Sequence, residues 1–541
     1  MASHFIQTES LLDCAECATI DGFAEAHRGE PAVPALARFM AERFGIDPAT
    51  DPDIVSGFLK DASNLPGKAA AVCRPRTIRE CAAIFRACFV SGIPYTVSGG
   101  RSNLTGSATP LSGVIVSTAR MTEPALAVDE AALTARAPVG MILEDLRRAV
   151  VSQTDGRLAF PVDPTSRADA TVGGAIACNA SGFTPGEVGA MRHWVRAVDV
   201  LLPDGSLVRA ARGQYVSEDS AFAIGSDGAS APLPIPRHRR PPVKNASGPF
   251  SAPDGRMDFV DLLIGSEGIF GAVAACSLRL APRPAAWLDL FFSLPAEDDA
   301  LRLRALLAAT LHGGLGSLSA LEYFGANCRR HMKHERRLFH GSHQVGVYIQ
   351  VPLANGDVED AAAAWLERLE AAGCGIEADR VMLMDNDRDR TVFFEARHSL
   401  PANAVEVVQR RGTYTIMTDT VVPPERFAEF LESTRAALVS AGLEYLAFGH
   451  LGDCHLHFTI LPERGQIDRA VAVYDEIIAR SAALGGVYSG EHGTGKRKRA
   501  DFLRCFGPEA LEGIRRTKAA LDPDMLLNRG NVIPEDRGAG E

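Results

Sequence analysis

The chain has 541 residues, with 56 basic and 67 acidic side chains giving a net charge of −11, and 46% apolar against 23% charged residues. That length exceeds what one hydrophobic core organises, so two or three folding units meeting at a cleft are expected, and the composition excludes a disordered or fibrous chain. The acidic balance argues against a nucleic-acid partner and leaves an anionic substrate dependent on local positive charge.

Eleven cysteines, odd in number and irregularly spaced, fit a reducing compartment rather than a disulfide scaffold. Cys14 and Cys17 have metal-like spacing but no second pair follows, so they read as buried thiols. The opening MASHFIQTESLLDCAE lacks a basic start followed by an apolar run, and no stretch nears the ~20 apolar residues of a membrane span. A cytoplasmic protein is expected.

Residues 1–65 alternate helical patterns such as LARFMAERFG with Pro, Gly and Asp breaks, which predicts a small helical lead-in. From Ala69 a strand, a helix and a second strand run into the loop TVSGGRSNLTGSATP, which holds Ser98, Gly99, Gly100, Ser102, Asn103, Thr105 and Gly106. Bare N–H groups and short hydroxyls suit a diphosphate, because only glycine lets the main chain approach its oxygens. A second cluster, FPVDPTSRADATVGGAIACNASG, holds Pro161, Asp163, Pro164, Ser166, Thr171, Gly173, Gly174, Asn179 and Gly182. A third, LLIGSEGIFGAV, adds Gly265, Ser266, Glu267, Gly268, Gly271 and Val273. No G-x-G-x-x-G opens a helix after the first strand, so a Rossmann site for NAD is not expected.

In this order, over roughly Ala69 to Pro282, the three clusters resemble the flavoproteins of the p-cresol methylhydroxylase and vanillyl-alcohol oxidase superfamily. The resemblance implies a two-subdomain FAD-binding unit at 66–282. The first loop would hold the pyrophosphate, the second cluster would wrap the flavin and ribityl chain, and the third would lie near the adenine end. Arg101 departs from it, standing where relatives usually have Gly, so that it would crowd the diphosphate or neutralise it. No His or Cys in these clusters is obviously placed to attack the ring, so the FAD is expected to be non-covalent.

The stretch from Arg209 to Met257, which includes PLPIPRHRRPPVKNASGPF, reads as a long irregular excursion. Beyond Pro282, extended segments (AWLDLFFSLP, HQVGVYIQVPL, YTIMTDTVVP) alternate with amphipathic helices, predicting a sheet with helices on one face in a substrate-side unit at 283–505. Residues 506–541 form a C-terminal segment containing LDPDMLLNRGNVIP. The fold class expected is α+β.

The segment AFGHLGDCHLHFTI carries His450, His455 and His457 when the whole chain has 14 His. That density is a metal-ligand composition. Seven residues apart, His450 and His457 would point to opposite faces of a straight strand, and Gly452 with Asp453 can supply the turn that reunites them. His455 remains a rival ligand, and a satisfied core-histidine cluster is the competing reading. Downstream, GGVYSGEHGTGKRKR exposes Glu491 and His492 between glycines.

The two segments, GHLGDCHLH and GEHG, resemble the FAD-linked D-2-hydroxy acid dehydrogenases: D-lactate dehydrogenase, the glycolate oxidase flavin subunit and D-2-hydroxyglutarate dehydrogenase. Cys454 and His455 replace a Gly and an Asn of that pattern. The resemblance implies a divalent metal held by His450, His457 and Glu491, with His492 as catalytic base, and imidazole ligation favours Zn while leaving Mn or Fe open. It implies that Arg397 grips the substrate carboxylate, that Thr459 and His492 contact substrate, and that Asn528 returns to the flavin, with Arg529 replacing a Pro. Met417 stands where D-2-hydroxyglutarate enzymes have a Lys, so an apolar substrate side chain is expected unless a cation between Arg237 and Lys244 reaches the site.

The function expected is oxidation of a small-molecule D-2-hydroxy acid to the 2-keto acid. Electrons would pass to an external acceptor: a cytochrome, a quinone or an electron-transfer flavoprotein. No ferredoxin-like cysteine segment is present, so an iron–sulfur partner would be a separate polypeptide, and a homodimer is among the assemblies open to it. The alternatives are a flavin-dependent transferase like alkyl-dihydroxyacetonephosphate synthase and a non-catalytic flavin-binding subunit. The second is disfavoured by the retention of His450 and His492.

Overall fold

A computed structural model describes residues 2–29, 32–226, 229–341 and 343–535. It is an α+β fold built on two cofactor-side sheets and one large antiparallel sheet. Strands Ala71–Cys73, Val114–Ser117 and Tyr95–Ser98 form a parallel sheet in that order. It is served by the helix Ile78–Val90, whose Thr77 cap accepts from the Glu80 N–H and whose buried face includes Cys81, Ile84 and Phe85. A five-stranded antiparallel sheet follows, ordered Ala127–Asp129, Thr134–Pro138, Ala272–Arg279, Val195–Leu201 and Leu207–Ala211. The chain therefore leaves one sheet, builds the other and closes it with the strand that follows the third glycine cluster.

Three local expectations are corrected. Cys14 is exposed and Cys17 half-buried, since both lie on the outer part of a surface helix. The lead-in has its helices, Cys14–Ala26, Val33–Phe44 and Pro52–Ser56, but Phe5–Gln7 is a strand paired in parallel with Ala221–Ser226. The excursion likewise opens with a hairpin, Ala221–Ser226 against Ala229–Pro234. Pro232 and Pro234 disguise it in the sequence, because proline is accommodated only where no ladder hydrogen bond is required.

The large sheet has seven strands, in the order Met382–Leu383, Ala286–Leu294, Val345–Leu353, Ala320–Phe324, Tyr445–His450, His455–Ile460, Ile416–Met417. Helices cover both of its faces, not one. Leu288, Leu290 and Phe292 pack with Trp365, Phe430 and Ile477 on one side. Phe291 and Tyr348 pack with Phe393, Ala396 and Leu400 of the helix Asp387–Arg411 on the other. Strands buried on both sides lose the apolar/polar alternation that marks a half-exposed sheet.

The helix Arg499–Leu521, kinked at Gly507 (φ 78°), spans the expected boundary at 505/506. Its Phe502, Ala510 and Ile514 join the core that includes Val198 and Phe259 of the cofactor side. The tail then returns to the first sheet. Asn528 donates from its backbone N–H to the Tyr95 carbonyl at 2.8 Å and accepts from the Val97 N–H at 2.8 Å.

Candidate active site

The glycine clusters and the histidine motifs line one cavity of about 760 Å³, within the range of cofactor sites. Gly99, Gly100, Ser102 and Asn103 form one wall; Pro164, Ser166, Thr171, Gly173 and Gly174 a second; Glu267, Gly268, Gly271, Val273 and Asn528 a third. Several glycines are needed for a reason other than ligand approach. A Cβ on Gly99 would strike Thr171 Oγ1, one on Gly100 the Asp169 carbonyl, and one on Gly268 the Asn528 amide. They let the loops touch each other. Gly174 differs, since a Cβ there would meet only Thr171 Oγ1, at 3.2 Å, and its face is otherwise open.

Six expected cofactor residues stand outside the cavity lining. Ser98 and Gly106 are buried beside the first loop, and Pro161 is half-buried. Asp163 lies against Gly182 and accepts from the Phe183 N–H at 3.2 Å. Asn179 accepts from the Arg192 N–H at 3.0 Å. Arg101 adopts φ 58°, and its guanidinium lies over Phe58 at 4.6 Å with a hydrogen bond to the Gly57 carbonyl. Glu267 is consumed by protein donors: the Ser107 hydroxyl, the Thr494 N–H at 2.6 Å and the Gly495 N–H at 2.7 Å. It ties the third cluster to the loop after His492.

The histidines reach one face by cross-strand register. Residues 450 and 455 pair directly across the hairpin of Tyr445–His450 and His455–Ile460, and 457 follows 455 on the same face. The turn runs through Leu451–Asp453 and ends at Cys454 in the left-handed region (φ 54°). Cys454 is buried in the apolar core on the other side, where burial pushes its thiol up to about 12.

Partners fix each ring. His450 Nδ1 faces Glu322 Oε1 at 2.6 Å, and its Nε2 faces Glu491 Oε1 at 3.0 Å. His457 Nδ1 lies 3.3 Å from the Thr418 carbonyl, which leaves Nε2 as the lone-pair nitrogen, 4.0 Å from Glu491 Oε2. This is the arrangement that orients ligating histidines, with the outer nitrogen held by carboxylate or carbonyl. His455, fully buried, places Nε2 2.9 Å from Asp419 Oδ1 and leaves Nδ1 unpartnered among the described residues. Ligand atoms from His450, His455, His457 and Glu491 lie within 4.8 Å of one another, so the donor set fits a divalent ion.

Burial lowers the basicity of His450, but Glu322 and Glu491 outweigh it and raise its pKa to about 9. His457 is held well below its ordinary value by burial, with His455 and His492 adding to it. Burial also lowers His492 against the pull of Asp419. Glu491 stays well below the usual carboxylate range because His450 and Lys244 overcome its burial.

His492 is held on every side but one. Its backbone N–H donates to Asp419 Oδ2 at 3.0 Å, and its carbonyl accepts from Asn103 Nδ2 and Thr105 Oγ1, both at 3.2 Å. Its ring stacks on His457 at 5.4 Å, and Nδ1 lies 3.5 Å from Asp419 Oδ2. Arg397 lines the same cavity: Nη2 donates to Glu322 at 2.9 Å, the guanidinium covers the Phe183 ring at 4.2 Å, and Nε is buried without a partner among the described residues.

Sequence reasoning missed Glu322 and Asp419, and it named Lys244 only as the end of a range that would upset the expectation for Met417. Lys244 does reach the site. Its ammonium pairs with Glu491 at 2.6 Å and Asp453 at 3.2 Å. Met417 is elsewhere, paired with Thr459 on the next strand. Met417 lines the cavity together with the uncharged Pro401, Ala404, Val405, Thr415 and Phe448.

Comparison with known proteins agrees with this division. The family model for an FAD binding domain matches residues 69–211, and that for the C-terminal domain of FAD linked oxidases matches 327–532. A D-lactate dehydrogenase of Anaerostipes hadrus is 27% identical over 498 residues, covering 89% of this chain and 93% of its own. A D-2-hydroxyglutarate dehydrogenase of Xanthomonas citri is 27% identical over 476 residues, covering 86% and 89%. Among solved structures, p-cresol methylhydroxylase aligns with a TM-score of 0.66 at 14% identity over 98% of this chain and all of its own, a likeness of fold. With an FAD binding domain over the first two walls of the cradle and the C-terminal domain of FAD linked oxidases over the histidine strands, the chain is a flavin-dependent oxidoreductase similar to the FAD-linked D-2-hydroxy acid dehydrogenases.

Proposed function

We propose that this protein oxidises a D-2-hydroxy acid to the 2-keto acid and passes the electrons to an external acceptor. One observation carries the reading: the His450, His457, Glu491 cluster, His492 and Arg397 all face the cavity that the glycine cradle lines. Non-covalently bound FAD supplies the hydride acceptor and a divalent ion, with zinc favoured, supplies Lewis acidity. His450, His457 and Glu491 would hold that ion, a three-residue donor set of the kind that suits binding of a 2-hydroxy acid. Arg397 offers its unpartnered Nε to the carboxylate. His492 takes the hydroxyl proton, and its lowered pKa keeps the ring neutral and able to do so. Dehydrogenation of D-lactate and of D-2-hydroxyglutarate is named for relatives 27% identical to this chain, which supports the substrate class.

The test is anaerobic bleaching of the flavin by a panel of D- and L-2-hydroxy acids, followed by turnover with a redox dye. Bleaching by D-acids alone is expected. A flavin that no D-2-hydroxy acid reduces would overturn the reading.

A further inference from the structure

Asp419 is completely buried and faces donors of five residues, among them the Glu491 backbone N–H at 3.3 Å from Oδ1. Oδ1 faces His455 Nε2 at 2.9 Å. Oδ2 accepts from the Ser489 hydroxyl at 2.6 Å, the Lys498 ammonium at 2.9 Å and the His492 backbone N–H at 3.0 Å. The same oxygen is 3.5 Å from His492 Nδ1. Asp419 also accepts at its backbone carbonyl from the Gly490 N–H at 2.7 Å, so the strand bearing it and the GEHG loop are joined at main chain and side chain alike.

We propose that Asp419 is a positioning residue for His492, fixing the Nδ1–H tautomer so that Nε2 is the nitrogen presented to the cavity. The backbone of His492 is gripped by Asp419, Asn103 and Thr105 and its ring stacks on His457, which places Nδ1 on the Asp419 side. A carboxylate accepts from Nδ1–H but cannot donate to a bare Nδ1, so it selects the tautomer. The 3.5 Å separation is the kind that closes when substrate arrives. Lys498 supplies a compensating cation, which lets the carboxylate stay ionised in a buried place.

This rests on the proposed dehydrogenation. There the hydroxyl proton passes to His492 Nε2, Asp419 takes no proton, and the α-hydrogen leaves with its electron pair to the flavin. The arrangement has the logic of an aspartate that orients a catalytic histidine without becoming protonated.

The test uses histidine-selective ¹⁵N labelling of the holoprotein, with His492→Ala assigning the resonance, and anaerobic stopped-flow reduction. Wild-type His492 is expected to carry its proton on Nδ1. Asp419→Asn should move it to Nε2, slow flavin reduction about 10²- to 10⁴-fold and leave the substrate Kd within a few-fold. In a His492→Ala background the same change should cost nothing further, because the effect runs through that ring. An Nε2–H tautomer in the wild type, or an equal cost in both backgrounds, overturns the proposal and leaves Asp419 a loop anchor. If Asp419→Asn fails to hold FAD, the wild-type tautomer decides alone. If no hydroxy acid reduces the wild-type flavin, the functional reading fails while the tautomers still judge Asp419.

Discussion

Losing a ligand and losing a base leave different signatures at this site. His457→Ala or Glu491→Gln should abolish turnover, lower the metal content measured by mass spectrometry and leave the flavin spectrum almost unchanged, because the glycine clusters that form the cradle lie in other segments of the chain. His492→Ala should keep metal and flavin while losing about 10²- to 10⁴-fold in flavin reduction rate. The Glu322–His450 pair sets a pH dependence in metal-free protein. His450, raised from 6.5 to about 9, contributes stability fully below 6.5 that is lost as pH rises through 9. Glu322, lowered from 4.5 to about 2, contributes above 4.5 and loses it as pH falls toward 2. His450→Gln should therefore flatten the fall in Tm between pH 7 and 9, read by differential scanning fluorimetry. The histidine cluster was legible because three histidines in eight positions stand out by type. Glu322 and Lys244 were not, since they lie 128 and 247 residues from their partners, in segments that read as an ordinary strand and loop.

Whole elements are committed to the site in ways that residue types do not advertise. The irregular stretch after Pro234 delivers one ammonium between two carboxylates, with Lys244 and Asp453 only 4% and 6% exposed at their side chains. Lys244→Met would leave Asp453 a buried anion without its cation and Glu491 with His450 alone as its cation, a loss of about 3 kcal/mol. The expected result is a Tm lowered by several degrees, with Lys244→Arg losing less. Gly100→Ala would drive a methyl into the Asp169 carbonyl and part the first two walls of the cradle, so the purified protein should lose most of its FAD, measured as the ratio of visible to protein absorbance. Strands buried on both faces and three-residue strands such as Phe5–Gln7 carry too little alternation to be assigned from sequence, whereas the helices and the order of the glycine clusters were readable.

At the scale of the whole molecule, the two-part architecture followed from length and from a change of pattern near Pro282, but the return of the tail did not. No periodicity announces that Phe502 and Ile514 belong to the core of a sheet completed more than two hundred residues earlier. The cradle should release its flavin into the supernatant on acid precipitation. Cys178 is the cysteine on the cavity wall, and burial pushes its thiol up to about 12, far from the thiolate that would attack the ring. Yellow colour retained in the pellet would contradict this.

Asn528 accepts from the Val97 N–H and donates to the Glu267 carbonyl, across 431 and 261 positions of the chain. At roughly 5–20 residues per second of synthesis, the first glycine loop leaves the ribosome about 20 to 90 seconds before its clasp exists. Contacts of such long separation make closure of the cradle slow. Flavin capture is thus among the last events in the life of a nascent chain, and a ribosome that stalls short of residue 528 releases a polypeptide with every glycine of the cradle and no means of shutting it.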